Sequence, residues 1–100
     1  MNTEILQAIT SKQVVEFTYQ SFIRIAQLHM YGSFNGVDHL LVWQVRGGPS
    51  LAQLPNWLTV ALPQIANFRV LDETFFGKRP DSGSQHSKSR WEAIYAMVVR

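Results

Sequence analysis

VVEFTYQSFIRIAQLHMYGSFNGVDHLLVWQV, residues 14–45, decides the fold class. Three runs rich in β-branched and aromatic side chains, Val14 to Tyr19, Phe22 to Tyr31 and Val37 to Val45, are separated by two short breaks. In the first run Val15, Phe17 and Tyr19 alternate with Glu16 and Thr18, the two-residue period of a half-buried strand. Gln20 and Ser21 turn the chain. The second break, Gly32 to Gly36, ends in Asn35-Gly36, a pair that tolerates positive φ and signals a hairpin. The third run is apolar on both faces at Leu40, Leu41, Val42 and Trp43, which places it centrally in a sheet.

Working outward, Gly47, Gly48 and Pro49 break the third strand and residues 50–56 read as a loop. Trp57 to Leu62 is a fourth strand stopped by Pro63, and Ala66 to Leu71 is a fifth. On the N-terminal side, Asn2 or Thr3 caps a short helix whose Ile5, Leu6 and Ile9 fall at helical spacing beside Ala8. Ser11, Lys12 and Gln13 end it. Five short strands behind one helix are too few for two full sheets, whereas a small closed barrel gives every strand an inside and removes exposed edges. The expected fold is therefore mostly β (α+β): an N-terminal helix and a five-stranded small barrel over residues 1–76. Residues 77–89, rich in Gly, Ser and Lys and containing Pro80, read as a flexible linker. Over residues 90–100, Trp91, Ile94, Tyr95 and Val98 lie at i, i+3, i+4 and i+7, which predicts a C-terminal amphipathic helix. Ser89 and Glu92 have the spacing of its capping box.

One hundred residues make one domain. The chain has no cysteine, so disulfides and thiolate metal sites are excluded. No apolar run approaches the ~18 residues of a membrane span, and the first ten residues carry Glu4 and no basic side chain, unlike a secretory signal. A cytoplasmic protein that does not engage membranes is the expectation. Charged residues make up 16% of the chain, below the ~25% average, which favours apolar surface patches that need a partner. The net charge of +2 is uneven. Residues 1–76 hold Lys12, Arg24, Arg46 and Arg69 against Glu4, Glu16, Asp38, Asp72 and Glu73, whereas residues 77–100 hold Lys78, Arg79, Lys88, Arg90 and Arg100 against Asp81 and Glu92. The body is not a basic nucleic-acid platform.

Several residues invite a functional reading. Arg24 shares, by alternation, a strand face with Ala26, Leu28 and Met30, and a guanidinium is rarely buried without a partner. It is either an anion- or nucleotide-binding residue, or a strand-end arginine that points to solvent or pairs with Glu16 or Asp38. His29 and His39 are an odd number of pairing positions apart. Alternation sends them to opposite faces unless a bulge intervenes, so no metal site is expected. No Gly-rich phosphate loop or nucleophile elbow is present, and neither an enzyme nor a cofactor is expected. Trp43, Trp57 and Trp91, with Tyr19, Phe22, Tyr31 and Tyr95, suggest stacking surfaces of the kind that hold single-stranded nucleic acid. Filling the core is the competing role, favoured for Trp43 and Trp57. Trp91, beyond the linker, is either an anchor into another subunit or a residue that docks on its own barrel.

The stretches ILQAITSKQVVEFTYQSFIRIAQLHMYGSFNGVDHLLVWQV (5–45) and NWLTVALPQIANFRVLDETF (56–75) resemble a WYL domain. That family has a leading helix, a strand ending in Tyr, an Arg opening the next strand, a hairpin into the Trp-Tyr-Leu strand, and a closing strand ending in Phe. The resemblance covers residues 5–76. It implies an Sm-like small β-barrel serving as a regulatory part of bacterial transcription factors or defence systems, often oligomeric, sensing nucleic acid or nucleotide-like ligands. The family's helix-turn-helix has no counterpart before the barrel. The Trp-Tyr-Leu triplet falls on Asp38, His39 and Leu40, so only the Leu is shared. Arg24 matches the second-strand Arg, and His29 matches the last residue of a Glu-Pro-His step that otherwise falls on Gln27 and Leu28. The later arginines fall near Leu58, Ala61 and Gln64, where the charge is absent.

These observations favour a non-catalytic regulatory or accessory domain that works by protein association, as a homo-oligomer or with a partner subunit through Trp91, Ile94, Tyr95 and Val98. The alternative is a nucleotide or single-stranded nucleic-acid binder that uses Arg24, His29, Tyr31, His39 and Trp57.

Overall fold

The computed structural model describes residues 2–49, 53–76 and 91–98. The chain is mostly β; the described residues form six antiparallel strands in one sheet and a single short α-helix at the N-terminus. The linker expected over 77–89 and the Ser89 cap lie outside the described residues.

Helix α1 (Asn2–Thr10) buries Ile5, Ala8 and Ile9 on one face, as their spacing requires. Nine residues are too few to hold a helix alone, so its stability comes from that contact. Lys12 takes a positive φ of 53° and redirects the chain into β1 (Gln13–Tyr19). A two-residue turn at Gln20-Ser21 leads to β2 (Phe22–Phe34), and the Asn35-Gly36 turn leads to β3 (Val37–Gly47). Asn35 and Gly36 have φ of 53° and 73°, the left-handed pair a tight hairpin needs. β4 (Asn56–Ala61) and β5 (Ile65–Thr74) complete the meander. The strand order is β4-β3-β2-β1-β5. A three-residue 3-10 turn, Leu62–Gln64, joins the two end strands and brings opposite ends of the sheet together.

The predicted C-terminal helix is not there. Ala93–Met97 form a strand, β6. β1 pairs with the first half of β2, from Tyr19↔Phe22 to Val14↔Gln27, and stops. The second half of the same edge, Met30 to Ser33, is then open, and β6 fills it from Met30↔Met97 to Ser33↔Ala93. The amides of Glu92 and Val98 extend the ladder by donating to the Ser33 and His29 carbonyls, both at 2.8 Å. Unsatisfied backbone groups on a long strand outweigh the weak helical preference of a short segment. The spacing misled because β6 is irregular. A register shift leaves Tyr95 unpaired between Ile94 and Ala96, so Ile94 packs on one side of the sheet and Ala96 and Val98 on the other.

The sheet therefore carries two apolar clusters. The inner one lies under α1 and contains Ile5, Ile9, Phe17, Leu28, Leu40 and Val60 among others. Each such side chain contributes about 1.5–3 kcal/mol on burial. The outer one is small: Met30, Leu41 and Trp91, with Phe34, Trp57 and Ile94 packed around them. A bulge at His29, between the pairs Leu28↔Val42 and Met30↔Leu41, decides which residues go where. Beyond it Met30 leaves the face shared by Ala26 and Leu28, against the alternation expected, and Tyr31 takes its place in the inner cluster.

Candidate functional site

Polar groups interrupt the inner face at its two ends. At the end where β2 begins, Arg24 stands opposite Phe17 on β1 and Gly47 on β3. It is 7% exposed. Its Nε donates to the Tyr19 carbonyl at 3.2 Å and its Nη1 to Gln44 Oε1 at 3.2 Å. Gln44 is itself buried and donates from Nε2 to the Gly47 carbonyl at 3.2 Å. The Arg24 guanidinium carbon also sits 5.0 Å from the centre of the Tyr19 ring and 5.9 Å from that of Phe22, within cation–π range. Neither Glu16 nor Asp38 pairs with it. Glu16 alternates with Phe17 and so lies on the other face, where it accepts from Arg69 at 3.2 and 3.3 Å.

At the other end, Asp38 is opposite Ser33 near the Asn35-Gly36 turn. Its Oδ1 accepts from the Tyr95 hydroxyl at 3.1 Å and its Oδ2 from the Tyr31 hydroxyl at 3.4 Å. The two tyrosine rings meet edge to face, with centres 4.8 Å apart. Leu6 of α1 joins these three residues around an open cleft of about 420 Å³. A second cleft of about 470 Å³, lined by Gly36, Val37, Leu62 and Pro63, shares Asp38.

Burial pushes the Tyr31 hydroxyl above its usual 10.0, and the charge of Asp38, the hydrogen bond to it and the neighbouring Tyr95 add to the effect. A neutral acid whose folded pKa is raised keeps its proton after the unfolded chain has lost it. Its contribution is whole below the ordinary value and is lost as pH rises past about 10. Melting temperatures followed by circular dichroism from about pH 8 to about pH 11 should therefore fall more steeply for the native chain than for Tyr31→Phe. Equal slopes would show that Tyr31 is not held neutral by its surroundings.

The remaining predicted residues scatter. His29 lies against Trp57 and Phe75, ring centres 4.9 Å from each. His39 stacks on Phe34 at 3.7 Å and contacts the Val37 carbonyl through Nδ1 at 2.9 Å. The bulge at His29 removes the argument from alternation, yet the two rings keep separate neighbours. Trp57 packs edge to face on Trp43 at 5.0 Å and joins the outer cluster. Trp91 and Val98 are buried in the chain's own clusters, Ile94 is half-buried, and Tyr95 is 49% exposed. The sequence brought Tyr31 and Tyr95 forward but not the carboxylate between them. Its signal was a lone acid on the alternation face of Leu40 and Val42.

No family model, curated protein or solved structure matches this chain. Among the described residues no group of three His, Cys, Asp or Glu could hold a metal ion, and no helix is long and apolar enough to cross a membrane.

Proposed function

We propose that this chain is a non-catalytic, WYL-like accessory or regulatory domain, a small Sm-like barrel that acts by protein association, with a second copy of itself as first partner. The topology supports the barrel: a leading helix, a meander whose last strand returns to the first, and a 3-10 turn joining the sheet's end strands. One observation carries the association. The β1–β2 hairpin presents Phe22 and Ile23 at 41% and 60% exposure, on a turn whose residues Gln20 and Ser21 have φ of 51° and 69°. Positive φ at two successive non-glycine residues is unfavourable, and such strain gathers at functional sites. A rigid apolar tip is a suitable anchor for a partner's groove. The hairpin is a better candidate for the contact than Trp91 and Val98, which pack in the chain's own clusters.

Size-exclusion chromatography with light scattering tests it. A mass above the 11.4 kDa of one chain is expected at high concentration. Ile23→Asp should weaken the association by about 30-fold, the equivalent of a hot-spot loss of about 2 kcal/mol. A monomer at every concentration, or an Ile23→Asp variant that associates as well, would overturn the reading.

A second reading has an observation of its own. Arg24 is a buried guanidinium with no carboxylate in reach among the described residues, and Tyr19 and Phe22 flank it. A phosphate at its edge and a base on the aromatics would make a nucleotide or single-strand site. The exposed tip ranks above it because so little of Arg24 reaches solvent. A monomer with salt-sensitive affinity for short single-stranded DNA or RNA would reverse that order.

A further inference from the structure

Asp38 occupies an unusual position. It is a half-buried carboxylate on the inner face of β3, and among the described residues no cationic side chain pairs with it. Its partners are the two tyrosine hydroxyls. Each carboxylate oxygen has two acceptor positions, and each tyrosine takes one. Half of the accepting capacity is left over, on a carboxylate that lines the cleft and has no cation beside it among the described residues. Glu92 adds to the local negative charge, since its Oε1 accepts from the Gly36 amide at 3.1 Å beside the adjoining cleft.

The lining selects the ligand class. A phosphate or carboxylate would be repelled by Asp38. A metal ion would find one carboxylate and two neutral phenols, too few charged oxygen donors for a hard cation. A purely apolar group would leave the carboxylate desolvated and unpaired. A flat or alkylated organic cation satisfies every part: the charge meets Asp38, which the Tyr31 hydroxyl holds in place, the exposed ring of Tyr95 supplies cation–π attraction, and Leu6 packs on the carbon stem. The volume, about 420 Å³, lies within the ~300–1,000 Å³ of small-ligand sites.

We propose that the cleft bounded by Leu6, Tyr31, Asp38 and Tyr95 is a binding site for an organic cation, a guanidinium or alkylammonium group carried on a side chain. The site lies at the opposite end of β2 from the Phe22–Ile23 tip and does not depend on association there. Two sources carry this chemistry: a free ligand or foreign peptide, and the chain's own residues 77–90, which hold Lys78, Arg79, Lys88 and Arg90 against Asp81.

The full chain is titrated with N-acetyl-arginine amide while the tyrosine ring resonances are followed by NMR. A saturable shift at Tyr31 and Tyr95 is expected, with a dissociation constant of about 1 mM. N-acetyl-citrulline amide, of the same shape without the charge, should give no saturable shift. Asp38→Asn should weaken the arginine response about tenfold or more, and Tyr95→Phe, which removes one hydroxyl from Asp38 but keeps the ring, by less. A second arm replaces Lys78, Arg79, Lys88 and Arg90 with Gln. If the chain's own cations fill the cleft, this variant moves the Tyr31 and Tyr95 resonances and opens the site to the added arginine derivative. Equal responses to arginine and citrulline, an arginine response that survives Asp38→Asn, or no response in either arm would overturn the proposal. The citrulline comparison holds even if a variant fails to fold.

Discussion

Trp91→Ala is expected to cost about 3–5 kcal/mol of folding free energy, the range for deleting a buried large aromatic side chain. Trp91 is 4% exposed and forms the outer cluster with Met30 and Leu41. Its ring meets Phe34 edge to face at 5.1 Å. Met30 and Leu41, which line the space, are fully buried on the paired strands β2 and β3, so the cavity collapses only in part. For a chain of this size the loss corresponds to a fall in melting temperature of about 12–24 °C at its lower bound of about 3 kcal/mol. Guanidinium denaturation monitored by circular dichroism checks it. Had Trp91 been an anchor for another subunit on a free helix, the substitution would leave the isolated chain's stability within about 0.5 kcal/mol, the usual effect of a surface change. The measurement therefore separates a residue that closes its own fold from one that waits for a partner.

Gly32→Val should cost about 3 kcal/mol or more by attacking the same contact from the other side. A Cβ at Gly32 would collide with the Ala93 carbonyl, and would stand 2.9 Å from the Trp91 ring and 3.1 Å from the Ile94 Cα. Two of these three are backbone atoms of the strand that pairs with Gly32, so they cannot yield without breaking the β2–β6 ladder. The residue is glycine because β6 and the indole must both approach β2 at this point. The expected result is release of β6, seen as loss of hydrogen-exchange protection at the Glu92 and Val98 amides, which donate to Ser33 and His29. Because both substitutions break one docking event, the double variant should be little worse than the costlier single one. Full additivity would mean that Trp91 and Gly32 act on separate parts of the fold.

The meander was legible because its signals are local. Alternation in Val14 to Tyr19, the Asn35-Gly36 turn and the double-faced apolar run at Leu40 to Trp43 each depend on a few neighbouring residues. The errors lie where a pairing partner far along the chain takes over. The i, i+3, i+4, i+7 spacing over β6 points to a helix because it carries no trace of the open edge of β2, some sixty residues earlier. Alternation puts Met30 on the face of Ala26 and Leu28 because no residue in β2 announces the bulge at His29. The site followed the same division. Arg24 stands out in the sequence as a charge in an apolar strand, but a strand-end side chain facing solvent or pairing with Glu16 or Asp38 fits the sequence equally well, and only the structure shows it buried. Its actual partners, Gln44 and the Tyr19 carbonyl, needed the register of three strands.

By itself, then, the sequence determined that the chain is mostly β behind a short leading helix, and which residues turn it, since backbone preference and side-chain period are written in consecutive residues. The tertiary structure decided the rest: that the last strand completes the edge of β2, that Trp91 covers an outer cluster, and that Asp38 lies between two tyrosines beside a cleft. Those outcomes are set by unpaired backbone groups and space left over once the local elements have assembled, and neither exists until they have.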